Sequence, residues 1–127
     1  MALSKEIMGG GFSAGAAQTL GGNINSALAS AGSTAADATP VTTSAAIVTG
    51  ADGTKGVILS AQAERRDSQM LINNSASSLK VWPPTGAAIT VPGSGMGTVD
   101  AAYTLTTYAT ATFTRLTSTQ WTVQKSA

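Results

Sequence analysis

The chain of 127 residues contains no cysteine and no histidine. The first absence excludes disulfides and thiol chemistry. The second removes the commonest general base and the commonest metal ligand together, which weighs against an enzyme. Charge is scarce as well, at 10% of residues against about 25% in ordinary soluble domains. Lys5, Lys55, Arg65, Arg66, Lys80, Arg115 and Lys125 are scattered along the chain, and six acids bring the net charge to +1. That is not the clustered basic footprint of a nucleic-acid binder. No run approaches the roughly 20 apolar residues of a membrane span. The Lys5-Glu6 pair, followed by Gly, Ser and Ala, also lacks the apolar core of a secretory leader. Ser, Thr, Asn, Gln, Ala and Gly must therefore cover the surface. Low net charge favours association, so burial of that surface against other subunits is expected.

What is present is β texture. Val41–Val48, Gly56–Leu59, Met70–Ile72, Leu79–Trp82, Ile89–Val91, Tyr103–Thr106, Ala109–Leu116 and Trp121–Val123 are short runs rich in β-branched, aromatic or alternating residues. Turn chemistry separates them, notably Asp52-Gly53, Asn73-Asn74-Ser75 and Pro92-Gly93-Ser94-Gly95. The stretch 69–89 reads as a β-hairpin of Met70–Ile72 and Leu79–Trp82 about the Asn-Asn-Ser turn. Its second strand ends at Trp82, because Pro83 and Pro84 lack the N–H that a ladder requires. About eight strands spaced near ten residues predict an all-β fold, a compact antiparallel β-sandwich or barrel.

Residues 1–36 have a different composition. They hold seven of the fourteen glycines and carry no charge from Phe12 to Ala36. Such a segment cannot bury enough apolar surface to offset its own ordering. It is read as an extended Gly/Ala/Ser-rich arm for assembly contacts, ahead of a β-domain over 37–127. Leu20, Ile24 and Leu28 fall four apart, the spacing of one short helix around Asn23–Ala31.

Candidate sites are few. Phe12, Leu20, Ile24 and Leu28 are the apolar residues able to anchor the arm on a partner. Glu64, Arg65, Arg66 and Asp67 place four of the thirteen charges together and are the candidate polar contact, although the same run reads equally as a solvated loop. Trp82 and Trp121 are assigned to capping the core; the competing assignment is a sugar-stacking platform with Tyr103 and Tyr108. Asp52 and Asp100 belong to no spaced set of calcium donors. The Gly93–Gly97 run lacks the Lys-Ser/Thr pair and the helix of a phosphate loop. No serine or threonine has an evident activator, so neither catalytic residues, cofactor nor metal are expected.

Gly56-Val57-Ile58-Leu59, the Asn-Asn turn, Leu79-Lys80-Val81-Trp82-Pro83-Pro84-Thr85-Gly86-Ala87-Ala88-Ile89, the Ala-Thr-Phe113-Thr-Arg-Leu run and Thr119-Gln120-Trp121 together resemble the small β-sandwich virion proteins of tailed bacteriophages. The likeness covers residues 37–127 and the Gly-Phe-Ser-Ala-Gly-Ala-Ala-Gln opening of the arm. It implies a capsid cement or decoration protein on the outer surface of the head, made in the host cytoplasm. Its partners would be the major capsid protein and itself, as a homotrimer; no nucleic acid, membrane or small-molecule substrate is implied. Head fibres and tail components that bind host surfaces or carbohydrate belong to the same group and are the alternative.

Overall fold

The computed structural model describes residues 24–125. It contains ten strands and, among the described residues, no helix: β1 (Ile24–Ala29), β2 (Thr39–Pro40), β3 (Ala45–Thr49), β4 (Gly56–Ile58), β5 (Ser68–Asn73), β6 (Leu79–Trp82), β7 (Ala88–Thr90), β8 (Tyr103–Leu105), β9 (Thr110–Arg115) and β10 (Gln120–Lys125). They form a six-stranded sheet of order β1-β3-β5-β9-β10-β7 and a four-stranded sheet of order β2-β4-β6-β8. The all-β expectation therefore holds.

The antiparallel expectation does not. From β1 to β8 the chain changes sheet at every connection, and as far as β7 successive strands of one sheet run in the same direction. The pairs β1–β3, β3–β5, β2–β4, β4–β6 and β7–β10 are parallel. Only β5–β9, β9–β10 and β6–β8 are antiparallel. The first six strands thus wind as a flattened coil of three turns, closed by antiparallel strands. A ten-residue spacing is the same for a meander as for such a coil, which is why spacing did not distinguish them.

The hairpin over 69–89 is corrected for a related reason. Both of its strands form, and β6 ends at Trp82, but they lie in different sheets. Both edges of β5 are already occupied, by β3 and β9, which leaves no edge for β6. Asn73 fixes the crossing. Its buried side-chain amide donates to the carbonyls of Ser77, Leu105 and Thr106 at 2.9, 3.2 and 3.1 Å, tying the end of β5 to the four-stranded sheet.

Alternation along the strands builds the core, since successive side chains of a strand face opposite sides. Ala46 and Val48 of β3, Leu71 of β5, Ala111 and Phe113 of β9, and Trp121 and Val123 of β10 point inward from one sheet. Val57, Leu79, Val81 and Leu105 point inward from the other and join the same cluster. Tyr103 packs edge-to-face on Phe113 with ring centroids 5.6 Å apart. Each of the large apolar side chains so buried stabilises the fold by about 1.5–3 kcal/mol.

The short helix expected around Asn23–Ala31 is also corrected, over its described part. Residues 24–29 are β1, an edge strand parallel to β3 with a bulge between Asn25 and Leu28. Beyond it, Ser30 N–H donates to Thr49, and Ala31 exchanges hydrogen bonds with Gly56 of the four-stranded sheet. Residues 24–36, compositionally part of the arm, are hydrogen-bonded to both sheets.

Candidate functional site

The structure separates the residues that the sequence grouped. Phe12 and Leu20 lie outside the described residues. Ile24 is 69% exposed, whereas Leu28, on the same strand, packs against the core. In the 64–67 run, the side chains of Glu64, Arg65 and Arg66 face solvent, but Asp67 is buried. Its carboxylate accepts from the backbone N–H of Glu64 at 2.7 Å, closing the turn on itself. Burial pushes the Asp67 carboxyl above the ordinary value; the Glu64 N–H opposes this, and the nearby charges of Glu64 and Arg115 pull in opposite directions. Asp67 is a turn-forming residue, so only the other three charges are available to a partner.

A residue outside that run, Arg115 of β9, organises it. The Arg115 guanidinium donates to the carbonyls of Ala61 and Ala63 on one side, and Thr117 and Ser118 on the other. Its backbone pairs with Arg66 and Asp67. Five N–H donors in a planar fork suit this collection of carbonyls. No sequence motif marks it, because its acceptors are all main-chain.

Gln69 has a comparable role and left a trace in the sequence. It is polar at an inward position of β5, in phase with Leu71. Its amide nitrogen donates to the carbonyls of Val41 and Thr43, both at 3.0 Å, and its oxygen accepts from Ser60 N–H at 2.9 Å. One side chain of the six-stranded sheet thereby holds the connections that leave β2 and β4 of the other.

Those connections frame a cleft of about 350 Å³. Its apolar lining comes from Pro40, Val41, Ile58, Leu59 and Pro84, and its polar lining from hydroxyls and the Gln62 amide, with no charged residue. Parallel pairing sets Pro40 beside Ile58 and Ile58 beside Trp82. These three residues form a row across the outer face of the four-stranded sheet, continuous with the cleft.

The assignment of both tryptophans to the core is therefore half corrected. Trp121 is fully buried, but Trp82 follows Leu79 and Val81 on the opposite side of β6 and is half-buried on the outer face. The Lys80 ammonium lies 5.9 Å from its ring centroid. Its indole lies close to Gly56, where an added Cβ would be 3.1 Å from Trp82 Nε1 and 2.6 Å from the Lys80 carbonyl oxygen. Glycine is required there by close approach, not by its dihedral angles. Tyr103 is engaged with Phe113 and Tyr108 is 65% exposed; among the described residues no aromatic platform unites them with the tryptophans.

The carboxylates of Asp52 and Asp100 are likewise engaged by backbone N–H groups. Asp52 Oδ1 accepts from the Thr54 hydroxyl and from the N–H groups of Thr54 and Lys55, which lower its carboxyl to about 2. Asp100 accepts from Gly86 N–H at 2.7 Å. Among the described residues no three acidic, histidine or cysteine side chains are grouped to hold a metal ion, and no helix is long and apolar enough to cross a membrane.

The fold and this surface define a charge-poor, all-β protein of two mixed sheets with an apolar cleft at one end of the smaller sheet. No protein family's sequence profile matches the chain, and neither a curated protein nor a solved structure is significantly similar to it.

Proposed function

We propose that this chain is a structural virion protein, a capsid cement or decoration protein that binds the outside of a phage head and bridges major capsid protein subunits. The observation that carries the reading is the row of Pro40, Ile58 and Trp82, left uncovered among the described residues, beside an uncharged cleft, on a domain whose buried polar side chains serve its own backbone. A surface of this kind gains affinity by desolvating apolar area and by repetition, not by charge. A homotrimer would present three copies at once, so that weak individual contacts sum to firm attachment. The likeness in the Trp82-Pro83-Pro84-Thr85-Gly86 stretch to small virion proteins supports the same role.

The half-buried indole of Trp82 supports a second reading, a head-fibre or tail component that binds host surfaces or carbohydrate. Lys80 over the ring counts against it, because a sugar stacks on the same π-face. Co-sedimentation with cognate heads, run beside light scattering and a glycan-binding assay, tests both. A trimer that pellets with heads fits the first reading. A protein that ignores heads and binds glycans overturns it in favour of the second.

A further inference from the structure

The outer face of the six-stranded sheet carries no charge. Arg115 and Lys125 are the two charged residues in its strands, and both stand at strand ends in the inward phase of Phe113 and Val123. The Arg115 guanidinium is engaged by main-chain carbonyls, and the Lys125 ammonium donates to the Thr106 hydroxyl at 3.4 Å. Strand pairing sets Ile24, Ala45, Met70, Thr112 and Gln124 side by side across five strands of the outer face. Ile47 and Ile72 form the next row with Thr110, so that Ile24, Met70 and the two isoleucines make one apolar patch. On the other side of the five-residue row, Ser68, Thr114, Thr122 and Thr90 stand in register across four strands. Ser68 and Thr114 share a hydrogen bond at 2.8 Å. A hydroxyl has one donor and two acceptor positions, so such a row keeps groups for a neighbour.

We propose that this face is where copies of the chain meet one another, with three sheets turned toward a common three-fold axis; the inference rests on the homotrimer of the preceding reading and names the surface that builds it. Its chemistry points to a second copy. Because hydroxyls both donate and accept, a hydroxyl row is complementary to itself, and a face without charge meets its own copy without like-charge repulsion. Depletion of charge is also the mark of an interface core. Its size suffices. Six strands about 4.8 Å apart, and about 17 Å of strand length, give roughly 500 Å² per copy, which reaches the roughly 1,000 Å² that two partners of a specific interface bury together. The face lies on the opposite side of the molecule from the Pro40, Ile58 and Trp82 row, so association leaves the cleft open to the shell. With three sheets around an axis the middle strands β5 and β9 lie nearest to it. Met70 and Thr112 are therefore the positions where an added charge would be buried, at high cost.

Thr112→Lys and Gln62→Lys add the same charge to the two sides of the full-length protein. Light scattering is expected to give the mass of three chains for the parent and for Gln62→Lys, and the mass of one chain for Thr112→Lys, with far-ultraviolet circular dichroism like that of the parent. Since the chain has no cysteine, Thr112→Cys and Gln62→Cys give a second readout that does not depend on the folding of the lysine variant. A flexible bis-maleimide is expected to join copies through position 112 at least about tenfold faster than through position 62, in line with the higher effective concentration at a shared interface. A parent mass other than that of three chains, a trimeric Thr112→Lys, or equal cross-linking at the two positions would each overturn the proposal. Co-sedimentation with heads reads the cement role separately. A parent that ignores heads but loses its trimer in Thr112→Lys upholds this face and removes that role, whereas a trimeric Thr112→Lys that pellets with heads removes this face and leaves the role standing.

Discussion

The amide oxygen of Gln69 accepts a hydrogen bond from the backbone N–H of Ser60 at 2.9 Å, joining the second position of β5 to the connection that leaves β4. Gln69 lies in the six-stranded sheet and Ser60 in the connection that leaves the four-stranded one, and the same amide reaches Val41 and Thr43 through its nitrogen. Gln69 is fully buried, and so is its hydrogen bond to the Val41 carbonyl, which would be left without a partner if the amide were removed. Gln69→Leu is expected to lower stability by about 3 kcal/mol or more, since each buried orphan costs about 1–3 kcal/mol. Gln69→Glu should be worse at neutral pH than in acid, because an ionised oxygen replaces the donor facing two carbonyls. Denaturant unfolding at pH 4.5 and pH 7 measures both; a Leu variant as stable as the parent would remove Gln69 from its bridging role.

Arg115→Lys tests the clamp on the charged turn. A single ammonium has three donors and no planar fork, and it cannot serve the carbonyls of 61, 63, 117 and 118 together. A loss of about 1–3 kcal/mol is expected, with faster amide exchange confined to residues 61–67 and 116–119. Exchange that rises uniformly across the sheets would point to a general packing defect instead.

Arg66 occupies the left-handed region at φ 73°, where an L-residue is strained by about 1–2 kcal/mol. Its side chain is exposed, and its backbone N–H donates to Arg115, a bond that glycine keeps. Arg66→Gly should be at least as stable as the parent, with a gain of up to about 1 kcal/mol after the added freedom of the unfolded chain. If the parent pellets with heads as proposed and the stable variant does not, the Arg66 side chain belongs to the partner contact.

Acid should weaken the fold through Asp52. Its folded carboxyl lies at about 2, below the unfolded value near 3.9, so the folded state holds fewer protons between those values. The contribution is complete above the unfolded value and is lost as pH falls from about 4 to about 2. Asp67 has the opposite sign. Its raised carboxyl means that the folded state binds the proton more readily, so its contribution improves as pH falls through the folded value. Asp52→Ala should flatten the acid limb of a stability–pH curve. Asp67→Asn should steepen it, because the compensating group is gone while the Glu64 N–H retains an acceptor.

Gly56→Ala places a methyl group 2.6 Å from the Lys80 carbonyl oxygen, which β4 and β6 accommodate only by separating. A loss of about 1–3 kcal/mol, the usual range for overpacking, is expected together with a red shift of Trp82 emission. An unchanged spectrum would place the indole away from Gly56.

Much of the secondary structure was legible because alternation is a local property. The phase of Ala111 with Phe113, or of Trp121 with Val123, needs only the pleat of one strand, and the end of β6 at Trp82 follows from two prolines without N–H groups. Gln69 was legible in principle, as a polar residue in an apolar phase. Arg115 was not, since its acceptors are main-chain carbonyls from two segments, 61–63 and 117–118, the first some fifty positions away.

By itself the sequence determined the all-β composition, the poverty of charge and the absence of thiol and imidazole chemistry, all of which depend on residue type or nearest-neighbour pattern. Only the tertiary structure decided that β5 and β6 part into different sheets, that parallel pairs outnumber antiparallel ones, and that Trp82 faces outward while Trp121 is buried. Those outcomes rest on which strand edges are already occupied and on long-range hydrogen bonds such as those of Asn73 and Gln69, whose partners lie up to 33 positions away.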